Sequence, residues 1–126
     1  MEKIQLKNAP PPKGHYSSAV VHNGLIFVSG QLPRNVETGE VETGSIEAQT
    51  ELALRNVEQI LLAANSDLRH VLQMTIYVSE MGLWDKVNEV YASVFGEHKP
   101  ARAIVPVNTL HFDTKIEIQA IAAVKE

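Results

Sequence analysis

The chain contains no cysteine. Disulfides, thiolate nucleophiles and cysteine-ligated metals are excluded with it. Basic runs are also missing. Its 11 lysines and arginines are scattered among 15 acidic residues, giving a net charge of -4 with histidine neutral. That balance argues against a nucleic-acid backbone as the main partner, because such binding uses clustered cations. No apolar stretch approaches membrane-spanning length, and Met1-Glu2-Lys3-Ile4-Gln5 lacks the apolar core of a signal peptide. The expected class is a cytoplasmic enzyme or binding protein with no membrane partner. His15, His22, His70, His98 and His111 show no metal-ligand spacing, so no metal is assigned. No Gly-x-Ser-x-Gly surrounds Ser17, Ser18 or Ser29, and phosphate-loop and dinucleotide fingerprints are absent.

What is present fits one domain spanning residues 1–126, with 44% hydrophobic and 21% charged residues. A globule of this length has a radius of gyration of roughly 14 Å. Little room is left for an internal cavity, so a small-molecule site is expected in a surface cleft or between subunits.

Residues 9–14, Ala-Pro-Pro-Pro-Lys-Gly, read as a stiff, non-helical entry segment. Tyr16–His22 and Leu25–Ser29 read as strands joined by Asn23-Gly24, the pair that a type I′ hairpin turn favours. Ser45 has the character of an N-cap, with Glu47 in the first turn of a helix running to about Ala64. Val71–Val78 alternates as a strand, Leu83–Phe95 as a helix with Gly96 as its C-terminal cap. Two further strands are expected, over 102–107 and 115–124, with Pro106 marking a bulge or an edge. The order is β-β-α-β-α-β-β: an α+β fold, two helices on one face of a mixed sheet. In the last strand Ile116, Ile118, Ala120, Ala122 and Val124 share one face. The other, with Glu117, Gln119, Ile121 and Ala123, is only half polar. Such a sheet predicts that its uncovered face packs against other subunits.

Two charges stand out because they sit in apolar strands. Arg102 lies in Pro100-Ala101-Arg102-Ala103-Ile104-Val105, and Glu117 between Ile116 and Ile118. A buried charge is costly unless it is paired or used. Arg102 offers a planar fork that matches a carboxylate; the plain alternative is a structural salt bridge or a solvent-facing residue. Glu117 offers general acid/base chemistry; the plain alternative is a polar-face residue paired across the strand. The two could also neutralise each other. Ser29-Gly30 ends a strand where a backbone N–H could meet an anion, and Tyr16 could present its hydroxyl to a ligand or be a half-buried aromatic.

Asn8-Ala9-Pro10, Gly14-His15-Tyr16-Ser17, Val28-Ser29-Gly30-Gln31-Leu32-Pro33, Val87-Asn88-Glu89-Val90-Tyr91, Lys99-Pro100-Ala101-Arg102 and Lys115-Ile116-Glu117-Ile118 occur in this order. With these segments the chain resembles the reactive intermediate deaminase (Rid, YjgF-like) family along essentially its whole length. The resemblance implies a chorismate-mutase-like fold, a homotrimer with sites between subunits, and no cofactor. It also implies hydrolysis of short-lived enamines and imines, such as 2-aminoacrylate and 2-iminopropanoate, to 2-keto acids and ammonia. By the same resemblance Arg102 binds the substrate carboxylate, Glu117 positions water, and Ser29, Gly30 and Tyr16 complete the binding site. Two departures bear on substrate choice. Many members have Gly-Pro-Tyr-Ser-Gln where this chain has Gly14-His15-Tyr16-Ser17-Ser18, and many have a cysteine where it has Ile104. A non-catalytic binder of small 2-keto acids is the alternative reading. A ribonuclease or translation inhibitor, ascribed to some relatives, is disfavoured by the acidic balance.

Overall fold

The computed structural model describes residues 1–126. Six strands, β1 (Glu2–Ile4), β2 (Ala19–His22), β3 (Leu25–Gln31), β4 (Val71–Val78), β5 (Ala101–Pro106) and β6 (Ile116–Ala123), form one sheet. Their spatial order is β1-β2-β3-β6-β4-β5. Neighbours are antiparallel except β4 and β5, which run parallel through a helical crossover. Helices α1 (Ile46–Ala63) and α2 (Trp84–Phe95) pack on one face and on each other. The mixed sheet with two helices on one side is the expected fold class.

The hairpin follows from its turn. Asn23 (φ 52°) and Gly24 (φ 77°) both take the left-handed conformation that a type I′ turn requires. Strand β2 begins later than expected, at Ala19 rather than Tyr16. The reason is a bulge in β3: Val28 pairs with Ala120 but Gln31 with Ile118, so Ser29 and Gly30 together oppose Gln119. The β2–β3 ladder ends where that bulge begins. A further strand, β1, was not expected; only Ile4 of its three residues is buried, and it lies along β2 at the sheet edge.

Ser45 caps α1, its hydroxyl oxygen accepting from the Ala48 N–H at 3.1 Å. The helix buries Ala53, Leu54, Val57, Ile60 and Leu61 at helical spacing. A short 3₁₀ turn, Met81–Leu83, leads into α2, and Gly96 at φ 63° closes it. Pro106 has no N–H to donate and lies on β5, an edge strand, where none is needed.

Alternation then divides the sheet. Ile116, Ile118, Ala120 and Ala122 of β6 and Met74, Ile76 and Val78 of β4 are buried beneath the helices. The opposite face is open and presents Leu25, Phe27 and Val105, each at least 36% exposed, among polar residues. The core therefore sits wholly on the helix side, and the open face is where the fold leaves surface to be used.

Candidate active site

Glu117 points to the open face because its β6 neighbours Ile116 and Ile118 fill the core. Opposite it, Tyr77 donates its hydroxyl to Gln119 Oε1 at 3.3 Å rather than to Glu117. On the other side lies the β3 bulge. Gly30 makes room for the carboxylate: a Cβ there would overlap Glu117 Oε2 and approach Cδ to 3.0 Å. The glycine is thus required by close approach and not by an unusual φ. We expect Gly30→Ala to leave the melting temperature nearly unchanged, since the flexible end of Glu117 can move, while kcat falls at least about tenfold as the carboxylate is displaced. A drop in stability without a drop in kcat would show that Gly30 only serves the fold.

The Glu117 carboxylate has no hydrogen-bond or ion-pair partner, and burial raises its pKa above the usual carboxylate range, an effect partly countered by His111. A half-buried, unpartnered acid whose proton affinity is raised suits proton transfer. Ser29 does not offer a free hydroxyl. Its Oγ donates to the Ser17 carbonyl at 2.6 Å and its N–H to the Ser18 carbonyl at 2.9 Å. It thereby holds the Tyr16 segment beside β3. Tyr16, about half exposed, lines with Gly30 a cavity of about 260 Å³ bordered also by Lys13, Gln31, Arg34, His111 and Phe112.

One wall of this cavity rests on a residue that sequence reasoning missed. Asn56, buried in α1, donates its amide to the carbonyls of Leu32 at 3.0 Å and Arg34 at 2.7 Å. It fixes the backbone where β3 leaves the sheet. A signal for it existed: an asparagine at core spacing between Ala53 and Ile60. Asn56→Leu removes both donors, and we expect it to cost about 1–3 kcal/mol in urea unfolding, with an unchanged m-value.

Arg102 lies elsewhere. It pairs with Met74 in the parallel ladder and so faces the helices. Its Nη1 donates to Asn88 Oδ1 at 2.8 Å, and its guanidinium carbon lies 4.8 Å from the Tyr91 ring centre and 5.5 Å from that of Trp84. Burial pushes the Tyr91 hydroxyl up to about 12, with the Arg102 charge opposing. No carboxylate of the same chain lies within ion-pair distance of Arg102, which excludes a structural salt bridge and mutual neutralisation with Glu117 within one chain. Two strand spacings and three residues of register separate Arg102 from Glu117, roughly 14 Å between Cα atoms, on opposite faces. One chain therefore gathers Tyr16, Ser29, Gly30 and Glu117, and leaves Arg102 on the far side of the sheet's edge.

This fold and this open-face cluster define a YjgF-type α+β protein. Residues 6–124 match the family described as Endoribonuclease L-PSP, and the chain belongs to that family. A RutC family protein of Pyrococcus horikoshii is 46% identical over 121 residues, covering 96% of each chain. Reactive Intermediate Deaminase A, chloroplastic, of Arabidopsis thaliana is 39% identical over 96% of this chain and 65% of its own length. Among solved structures, E. coli TdcF with bound serine superposes with a TM-score of 0.91 at 34% identity, over 99% of this chain and 100% of that one. The family thus includes a protein named as a reactive intermediate deaminase, as the resemblance implied.

Proposed function

We propose that this chain is a 2-iminobutanoate/2-iminopropanoate deaminase that works as a homotrimer. The observation that carries the proposal is the unpartnered Glu117 carboxyl, half-buried over Gly30 on an open sheet face. The apolar residues of that face, Phe27 and Val105 among them, favour cover by a second copy. A copy placed with its β5 edge over the face would bring its own Arg102 to this cavity. The reading therefore needs two subunits for each site.

The chemistry follows. Arg102 of a neighbouring copy grips the substrate carboxylate, with the Gly30 N–H as a further donor. The enamine tautomerises to the imine. Glu117 takes a proton from water as the oxygen adds to the imine carbon and the C=N bond becomes single. The proton returns to nitrogen, giving the carbinolamine; Glu117 then moves the hydroxyl proton to the amine as the C=O bond forms and the C–N bond breaks, so ammonia leaves, the keto acid remains and the carboxylate is restored. Imines hydrolyse unaided, so positioning and one acid/base group, the latter contributing about 10²–10⁴-fold, account for the acceleration required.

The test is to generate the intermediates in situ with serine or threonine dehydratase and follow ammonia and 2-keto acid. Faster release than in buffer supports the reading. Binding of pyruvate with no acceleration would sink it in favour of a 2-keto acid binder.

A further inference from the structure

The cavity lined by Gly30, the glycine that Glu117 packs against, is cationic in an acidic protein. Lys13 and Arg34 line it together with His111, and none of its lining residues is acidic. Neither Lys13 nor Arg34 has an ion-pair partner; the four close pairs of the chain involve Arg55, His70 and Lys125 instead. The nearest loop acids are otherwise engaged: Glu37 accepts from the Asn8 amide and Glu42 from the Gly44 N–H. Arg34 is also held in place. Asn56 holds its carbonyl, its backbone bridges to Val41, and its guanidinium carbon lies 5.8 Å from the Phe112 ring centre. That ring stacks on His111 at 3.8 Å, in a turn where Phe112 and Asp113 take the left-handed conformation at φ 60° and 59°. A bulky residue held there is strained, and such strain persists where surrounding structure fixes it.

We infer that the Arg34 side of this cavity is a subsite for a second carboxylate, so that the site takes imines of dicarboxylic amino acids. The inference rests on the deaminase reading above and names its substrate class. With the α-carboxylate on Arg102 of a neighbouring copy and the imine carbon at Glu117, the side chain of the substrate extends toward Arg34 and Lys13. A three-carbon imine leaves those cations unused. The space suits a longer ligand, because the cavity adjoins another of about 520 Å³ that shares Lys13, Tyr16, Arg34 and Phe112. The guanidinium fork matches a carboxylate bidentately, with Lys13 as a second point charge. Two cations around one small cavity hold a single small anion, whereas a nucleic-acid backbone takes about six to ten phosphate contacts.

The experiment compares 2-iminosuccinate, generated from aspartate by an aspartate oxidase, with 2-iminopropanoate, generated from alanine by an amino-acid oxidase. We expect the wild-type kcat/KM to favour 2-iminosuccinate by at least about tenfold, and Arg34→Met to lower that ratio by a similar factor. Lys13→Met should lower it less. No preference in the wild type, or an equal loss of both substrates in Arg34→Met, overturns the subsite; the latter would put Arg34 on the α-carboxylate or in the fold. If the wild type accelerates neither imine, the deaminase reading has failed and the subsite is read by binding alone. Oxaloacetate should then raise Tm more than pyruvate in the wild type, with the difference gone in Arg34→Met. Equal shifts with the two acids would overturn the subsite on that arm as well.

Discussion

Glu117→Gln should reduce kcat by about 10²–10⁴-fold and, at neutral pH, raise the melting temperature. The two effects have one cause. Burial raises the carboxyl pKa in the folded chain above its unfolded value, so the folded state binds the proton more tightly. Where the group is ionised in both states, folding carries the desolvation cost of the charge; where it is protonated in both, it does not. Stability conferred through this group is therefore lost as pH rises from the unfolded value of about 4.3 through the raised folded one, and the loss persists at neutral pH. A neutral glutamine of similar shape removes that cost. The stability gap between variant and wild type should close as pH falls below about 4, where both side chains are neutral. Melting curves at several pH values beside single-turnover rates would check this. A variant less stable than wild type at pH 7, or one with full activity, would remove Glu117 from the chemistry.

Arg102→Ala should lower kcat/KM by about 10–150-fold, the equivalent of a charge-assisted contact of about 1.5–3 kcal/mol. The stronger test uses both variants together. Arg102 and Glu117 lie on opposite faces of one chain, so a site that uses both draws them from two subunits. Either variant alone should keep no more than about a tenth of wild-type activity. In the proposed trimer, co-expression of equal amounts of Arg102→Ala and Glu117→Gln chains should regain about a quarter of wild-type sites, since each site would need an intact arginine from one subunit and an intact glutamate from the next. Activity that stays at the level of the single variants would show that Arg102 does not serve the cleft around Glu117. Its contacts with Asn88, Tyr91 and Trp84 would then be its whole role.

Local chemistry was the most legible part of the sequence. Asn23-Gly24, Ser45 and Gly96 each announce a backbone geometry through their own side chain or lack of one, and each adopts it. β1 was illegible because three residues with a single buried isoleucine carry no period. The bulge at Ser29-Gly30 was hidden as well, since an extra residue in a strand alters pairing without altering composition. For the site, the residue types at 102 and 117 were visible as charges in apolar strands, but their relative faces were not. In β5 the residues flanking Arg102 are alanines and aliphatics on both faces, so alternation gives no phase, and the parallel pairing with β4 decides it. Arg34, His111 and Phe112 come from loops far apart in sequence. They meet only because Asn56 and a left-handed turn bring the two loops to one cavity.

The strand order also governs when the molecule can assemble. β6 comes after every other strand in the chain, yet it lies in the middle of the sheet, joining β3 on one side and β4 on the other. A chain emerging from the ribosome can close the hairpin half and the crossover half early, but each keeps a bare hydrogen-bonding edge until residues 116–123 arrive. The same segment supplies Glu117. Nascent chains are therefore open at two edges and without their candidate acid until a single late insertion ends both conditions at once.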